Sequence, residues 1–283
     1  MKTIVKIFFI IISLTITNVL QLAAQTSVYE SVEELAAKNK VRINLTATGS
    51  HYHNIVKANI TNTTNDTLRL KFDGGRILEA KDDAFYDVLI TQETKVDLQP
   101  KQEKEVKLVG YYCEKGKQNP KLGERYAFGR IAPNEWIAFA EYLTHSDSVP
   151  YKSVQQAVDV LSQNLSIGTI YPDNENGVKE MKRRLSEITQ ESYPWYYISS
   201  YKDVPIKLWG TLHFSVNDTS AVTVQIKNAD GELVKKPIEN KIYYPGYNYY
   251  EVDLKLNTWE KGEYVVEVIV DATKLRVRKR FEL

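Results

Sequence analysis

Cys113 is the one cysteine of this chain, and it stands in "KLVGYYCEKGKQNP", residues 107–120. The thiolate is the nucleophilic form of such a residue, and neighbouring cations favour it. Lys115 and Lys117 follow closely, so an activated thiol is one chemistry this spacing allows. The other reading is a small hydrophobe at the end of a strand, and packing is the expectation. The stretch "GSHYHN" sets His51 and His53 on one face of a strand, as two metal ligands would lie. Zinc needs further ligands, and no Cys-x-x-Cys or His-x-x-x-His supplies them, so a solvated hairpin pair without metal is expected. Gly-x-Ser-x-Gly, P-loop and His-Glu-x-x-His patterns are absent from the sequence. Glu33-Glu34 and Asp82-Asp83 are adjacent carboxylates, which reads as solvated surface, and Lys182 to Arg184 read as the polar side of a helix.

These residues need a scaffold, and its setting is written at the N-terminus. "MKTIVKIFFIIISLTITNVLQLAAQ", residues 1–25, has a basic start, an apolar core and a small pair, Ala23-Ala24, where a signal peptidase would cut. A membrane anchor needs about 20 unbroken apolar residues, and Lys6, Thr15, Thr17 and Asn18 break the run. A secretory signal peptide is therefore expected, with no transmembrane segment once it is removed. Losing Lys2 and Lys6 leaves 35 basic against 36 acidic residues, so no concentrated basic surface points to a nucleic acid. A single cysteine forms no internal disulfide, so stability must come from the core. The 19 tyrosines suit half-buried strands with one ring face packed and the hydroxyl wet.

Residues 26–190 read as an antiparallel β-sandwich with added helices. "SVEELAAKNK" has capping-box spacing at Ser31 and Glu34, with Val32 and Leu35 turned to one side. Val41, Ile43, Leu45 and Ala47 then alternate, as do Val56, Ala58 and Ile60, and Leu68, Leu70 and Phe72. "DVLITQETKVDL" and "KEVKLVGYY" continue the alternation. Three helical stretches follow, placing Trp136, Ala140 and Leu143, then Val154, Ala157, Val158 and Leu161, then Val178, Met181, Leu185 and Ile188 on single faces. Residues 191–204, "ESYPWYYISSYKDV", read as an aromatic linker packed against something. Residues 205–283 return to strand periodicity, with Gly210 marking a bulge or close approach. Their strand count is that of an Ig-like β-sandwich.

Three features of this last stretch carry a resemblance. The turn Asp230-Gly231, Gly246 before a strand, and the Gly262-x-Tyr264 unit precede a basic final strand. In that order they resemble the C-terminal sorting domains of type IX secretion in Bacteroidetes, and the Ig-like domains of hook-capping proteins. The resemblance implies an Ig-like module and, in its sorting form, contact with secretion machinery. Here the loop "LNTWEKGEY" is longer than the usual Leu-x-x-Gly-x-Tyr, and the chain ends "RFEL". In that group Asp66-Thr67-Leu68 and Asp147-Ser148-Val149 resemble O-glycosylation triplets. Cys113 after two tyrosines, with Gln155 in "VQQAVD", also resembles thioester-forming adhesin domains, whose helix reads Gln-x-Ala-Ile-Trp; Asp159 stands at the Trp position. That resemblance implies a Cys113–Gln155 thioester able to capture a surface amine.

The expected fold is mainly β with added helices: an N-terminal antiparallel sandwich with helical segments, then an Ig-like sandwich. The expected function is a non-enzymatic binding or structural protein of a bacterial envelope or cell surface, with the periplasm as the alternative place. Its partners would be protein or carbohydrate, and no cofactor is expected. The alternatives are the thioester adhesin and an enzyme whose polar groups converge in a pocket between sheet and helices.

Overall fold

The computed structural model describes residues 28–283 apart from Tyr52, 147–148, 171–174 and 202–203. The expected signal peptide, residues 1–25, and the first two residues of the triplet at 147–149 lie outside the described residues. The fold is mainly β and rich in antiparallel sheets. No helix among the described residues is long and apolar enough to cross a membrane.

The first part runs β1 (Glu30–Ser31), α1 (Val32–Ala37), β2 (Val41–Ala47), β3 (Val56–Asn62), β4 (Leu68–Phe72), β5 (Arg76–Ala80), β6 (Val88–Ile90), β7 (Thr94–Leu98), β8 (Glu103–Leu108), β9 (Gly110–Tyr112) and β10 (Arg125–Ile131). Strands β1, β4 and β7 form one sheet, and the order β8-β3-β2-β10-β5-β6-β9 forms the other. Leu70, Phe72 and Leu98 of the first pack with Leu45, Val56 and Ile60 of the second in one core, so this part is a sandwich. Both long alternating runs split. Residues 91–93 carry the chain from the larger sheet to the smaller one. At Val109 a single run divides into β8 and β9, which occupy opposite ends of the larger sheet. The sheet therefore curls until its ends meet, with Gly110 N–H donating to His53 O and Thr91 N–H donating to Val109 O.

The capping box on α1 does not form. Ser31 precedes the helix but its side chain caps nothing, because its backbone is drawn into parallel pairing with Lys71 of β4. Val32 and Leu35 are buried as their spacing predicts.

Alternation at the β5–β6–β9 end sends side chains to two cores. Leu78, Val88, Ile90 and Tyr112 enter the sandwich, while Ile77, Leu89, Tyr111 and Cys113 face a helical layer. That layer is α2 (Asn134–Thr144), α3 (Tyr151–Gln163), a 3-10 turn (Ile167–Thr169) and α4 (Glu175–Thr189). Strand β6, Val-Leu-Ile, is buried on both faces. Each such side chain contributes roughly 1.5–3 kcal/mol, which lets three residues hold as a strand.

The last part is a second sandwich, and it begins earlier than the periodicity suggests. Residues 191–204 are not simply a linker: β11 (Tyr196–Tyr201) pairs antiparallel with β12 (Val204–Val216), Tyr196 opposite Gly210. Its rings are where the reason lies, since Tyr196 and Ile198 are buried in the core of the second sandwich. The remaining strands are β13 (Ser220–Asn228), β14 (Leu233–Tyr243), β15 (Gly246–Lys255), β16 (Glu263–Val270) and β17 (Lys274–Glu282). Sheets β11-β12-β15 and β14-β13-β16-β17 enclose Leu212, Phe214, Val224, Val252, Val266 and Phe281. Gly231, Gly246 and Gly262 have φ of 82°, 119° and 147°, so turn geometry alone calls for glycine at all three. Gly210 is a close approach, as its position implied: an added Cβ would lie 2.7 Å from Trp195 O and 3.0 Å from its ring.

Candidate functional site

Cys113 follows β9 with its side chain in the helical-layer core, beside the cluster that holds Val154, Ala157 and Val158 of α3. It is 5% exposed. Burial, followed by the Asp87 and Glu114 carboxylates, pushes the thiol up to about 12. Lys117 is engaged by Glu114 at 3.0 Å, and its field is a lesser influence on the thiol than burial. Cys113 N–H donates to Asp87 O, and the Asp87 carboxylate itself accepts from Ala80 N–H at 2.9 Å. This thiol is packed and protonated.

Gln155 is brought to the same place. Tyr112 N–H donates to Gln155 Oε1 at 3.2 Å, and Gln155 Nε2 donates to Tyr112 O at 2.8 Å. The same Nε2 donates to Asp159 Oδ1 at 2.9 Å. Strand β9 ends the order of its sheet, so the Gln155 amide occupies the position of a further strand and satisfies the free edge. Asp159, which stands at the Trp position of the adhesin pattern, orients that amide.

His51 and His53 are not on a strand. His51 and His53 fall in the connection between β2 and β3, and His53 has a left-handed φ of 67°. The Gly-Ser turn there breaks the strand, which removes the shared face that alternation would provide. Both are exposed, and His51 Nδ1 lies 3.1 Å from Asn119 Nδ2. Among the described residues, no group of three or more His, Cys, Asp or Glu is placed to hold a metal ion.

Lys182 departs most from expectation. It is 1% exposed, whereas Arg183 and Arg184 face solvent and pair with Glu187. Its Nζ sits 4.1 Å from the centre of the Tyr197 ring and 3.4 Å from Ile170 O, tying α4 to the first strand of the second sandwich. Burial lowers its pKa to about 8. A signal was present: Val178, Lys182 and Leu185 share the i, i+4, i+7 spacing of the buried face.

A groove with a volume of about 1080 Å³ lies where the helical layer meets the second sandwich. Gln156, Asp159, Gln163 and Asn164 line it from α3 and its end. Arg278, Lys279, Arg280 and Glu282 line it from β17, and Tyr193 and Trp195 from the connecting segment. Lys115 reaches it too, so the groove extends to the loop after Cys113. Tyr196 joins the two units, its hydroxyl 3.0 Å from Ser166 Oγ and accepting from Glu282 N–H at 3.3 Å. Burial and then the nearby Glu282 raise the Glu191 carboxyl at this junction. Sequence reasoning missed the groove because its sides come from residues far apart in the chain.

Comparison with protein families finds no model that matches this chain, and comparison with curated proteins finds no match.

Proposed function

We propose that this is an exported, non-enzymatic binding protein of a bacterial envelope or cell surface, with its ligand in the groove between the helical layer and the second sandwich. The observation that carries this is the groove itself. It has the size of a ligand site, and it stands at a junction between units, where such sites concentrate. Its lining mixes hydrogen-bonding groups, rings and aliphatic side chains drawn from both units. Hydrogen exchange of the secreted protein against surface glycans and proteins tests the reading. Protection of residues 156–169, 191–200 and 278–283 by one of them is expected; protection confined to other surfaces overturns it.

The second sandwich is read as an Ig-like module, and in its sorting form as a type IX address. The order of Gly231, Gly246, Gly262 and Tyr264 supports this, though turn geometry accounts for the glycines by itself. Sorting predicts that the exported protein lacks the second sandwich, and recovery of the full chain at the cell surface overturns that.

One observation favours a second reading, the thioester adhesin: the Gln155 amide is hydrogen-bonded to the residue next to Cys113. In that reaction the Cys113 Sγ–Gln155 Cδ bond forms, the Cδ–Nε2 bond breaks, and ammonia leaves. An intact mass short by one ammonia, with methylamine adding at Gln155, would establish it. A full mass and a thiol alkylated after unfolding would end it.

A further inference from the structure

We infer that the groove takes a neutral oligosaccharide, gripped by side chains and stacked on Tyr193. The inference rests on the groove reading above and names its ligand. A volume of about 1080 Å³ is just above the range for small-molecule sites, roughly 300–1,000 Å³, so several linked rings fit better than one.

The alternatives fail on chemistry. A peptide would bind most simply by adding a strand to the free edge of β17. Along the groove that edge is closed at Arg280 and Glu282, where Trp195 Nε1 donates to Arg280 O at 2.8 Å and Glu282 N–H donates to the Tyr196 hydroxyl. A polyanion would need an excess of cations. Here the five cations Lys115, Lys261, Arg278, Lys279 and Arg280 are interleaved with the four carboxylates Asp159, Glu191, Glu263 and Glu282, an excess of only one, and Arg280 lies 3.4 Å from Glu263. A lipid chain would need an unbroken apolar lining, and here Leu165, Ile167, Ile198 and Leu283 alternate with Asp159, Glu191, Arg278 and Arg280.

Interleaved carboxylates, amides and guanidinium groups suit a ligand whose every hydroxyl both donates and accepts. Gln163 and Asn164 offer amides on one side, and Arg278 and Glu282 offer charged partners on the other. The flat apolar face of a sugar ring needs an aromatic partner. Trp195 is engaged by Arg280 and by the close approach to Gly210, whereas Tyr193 is 43% exposed at the groove.

The test uses the mature chain, residues 26–283, with soluble glucan, mannan, xylan, galactan and chitin oligosaccharides, an oligogalacturonate, and an extended peptide. Binding is read by tryptophan fluorescence and hydrogen exchange. At least one neutral oligosaccharide should bind, with an affinity insensitive to salt. Tyr193→Ala should weaken it about tenfold or more, Tyr193→Phe should retain it, and unchanged melting would show that both variants fold. No binding by any neutral oligosaccharide, or binding that Tyr193→Ala leaves intact, overturns the inference. Groove protection by the peptide or the oligogalacturonate alone overturns the sugar assignment but keeps the groove as the ligand site. No protection of the groove by any probe overturns both.

Discussion

The Gln155 side chain clasps the backbone of Tyr112 from both sides, donating to its carbonyl at 2.8 Å and accepting from its N–H at 3.2 Å. One amide thereby replaces a missing strand at the end of a seven-stranded sheet and anchors α3 to it. The pair lies beside Cys113, so the geometry that suggests a thioester also has a structural use.

Replacing Gln155 by Ala leaves two backbone groups of Tyr112 without their partners. Losing satisfied, partly buried hydrogen bonds costs about 1–3 kcal/mol. Urea unfolding of Gln155→Ala should show that loss, together with faster reaction of Cys113 as α3 loosens from β9. Unchanged stability would mean that water replaces the amide without cost.

The thiol has a pH signature. Its pKa is raised in the folded state from 9.0 to about 12, so folded protein keeps a proton that unfolded protein releases. Its contribution to stability is full below pH 9 and is lost between about 9 and 12. Alkylation of native protein should keep accelerating beyond pH 10, without the plateau of an ordinary thiol. The stability difference from Cys113→Ala should shrink across the same window.

Lys182 works in the opposite sense. Its folded pKa of about 8 lies below 10.5, so unfolded protein binds the extra proton between these values and stability rises with pH there. Lys182→Met should abolish that rise. Removing a buried charge should also stabilise the protein at pH 7 by about 1–3 kcal/mol. The gain should vanish above about pH 10.5, and denaturant melts of the two proteins across that range measure it.

The second sandwich needs residues ahead of the apparent boundary at 205. The Tyr196 ring meets Phe281 edge-on with centroids 5.9 Å apart, and Trp195 covers Gly210. A fragment of residues 191–283 should give a cooperative melt, and one of residues 205–283, lacking β11, should not. Gly210→Ala in the full chain should cost about 1–3 kcal/mol through the clash with Trp195. Any processing that frees an intact sandwich must therefore cut before Trp195.

Much of the fold was legible because alternation and helical spacing report which side of an element is apolar. Val56, Ala58 and Ile60 alternate and are buried, and Val178, Met181 and Leu185 line the inner face of α4 as their spacing requires. The same rules failed where a residue answers to something outside its own element. Ser31 left its cap for a strand partner, and residues 196–201 became a strand because β12 lay alongside.

By itself the sequence determined two strand-rich regions separated by helices, since face is a local property of neighbouring residues. Tertiary structure alone decided which strands share a sheet, that Lys182 lies under Tyr197, and that Gln155 meets Tyr112. Those outcomes join residues far apart in the chain, and periodicity carries a face but no address for the partner that covers it.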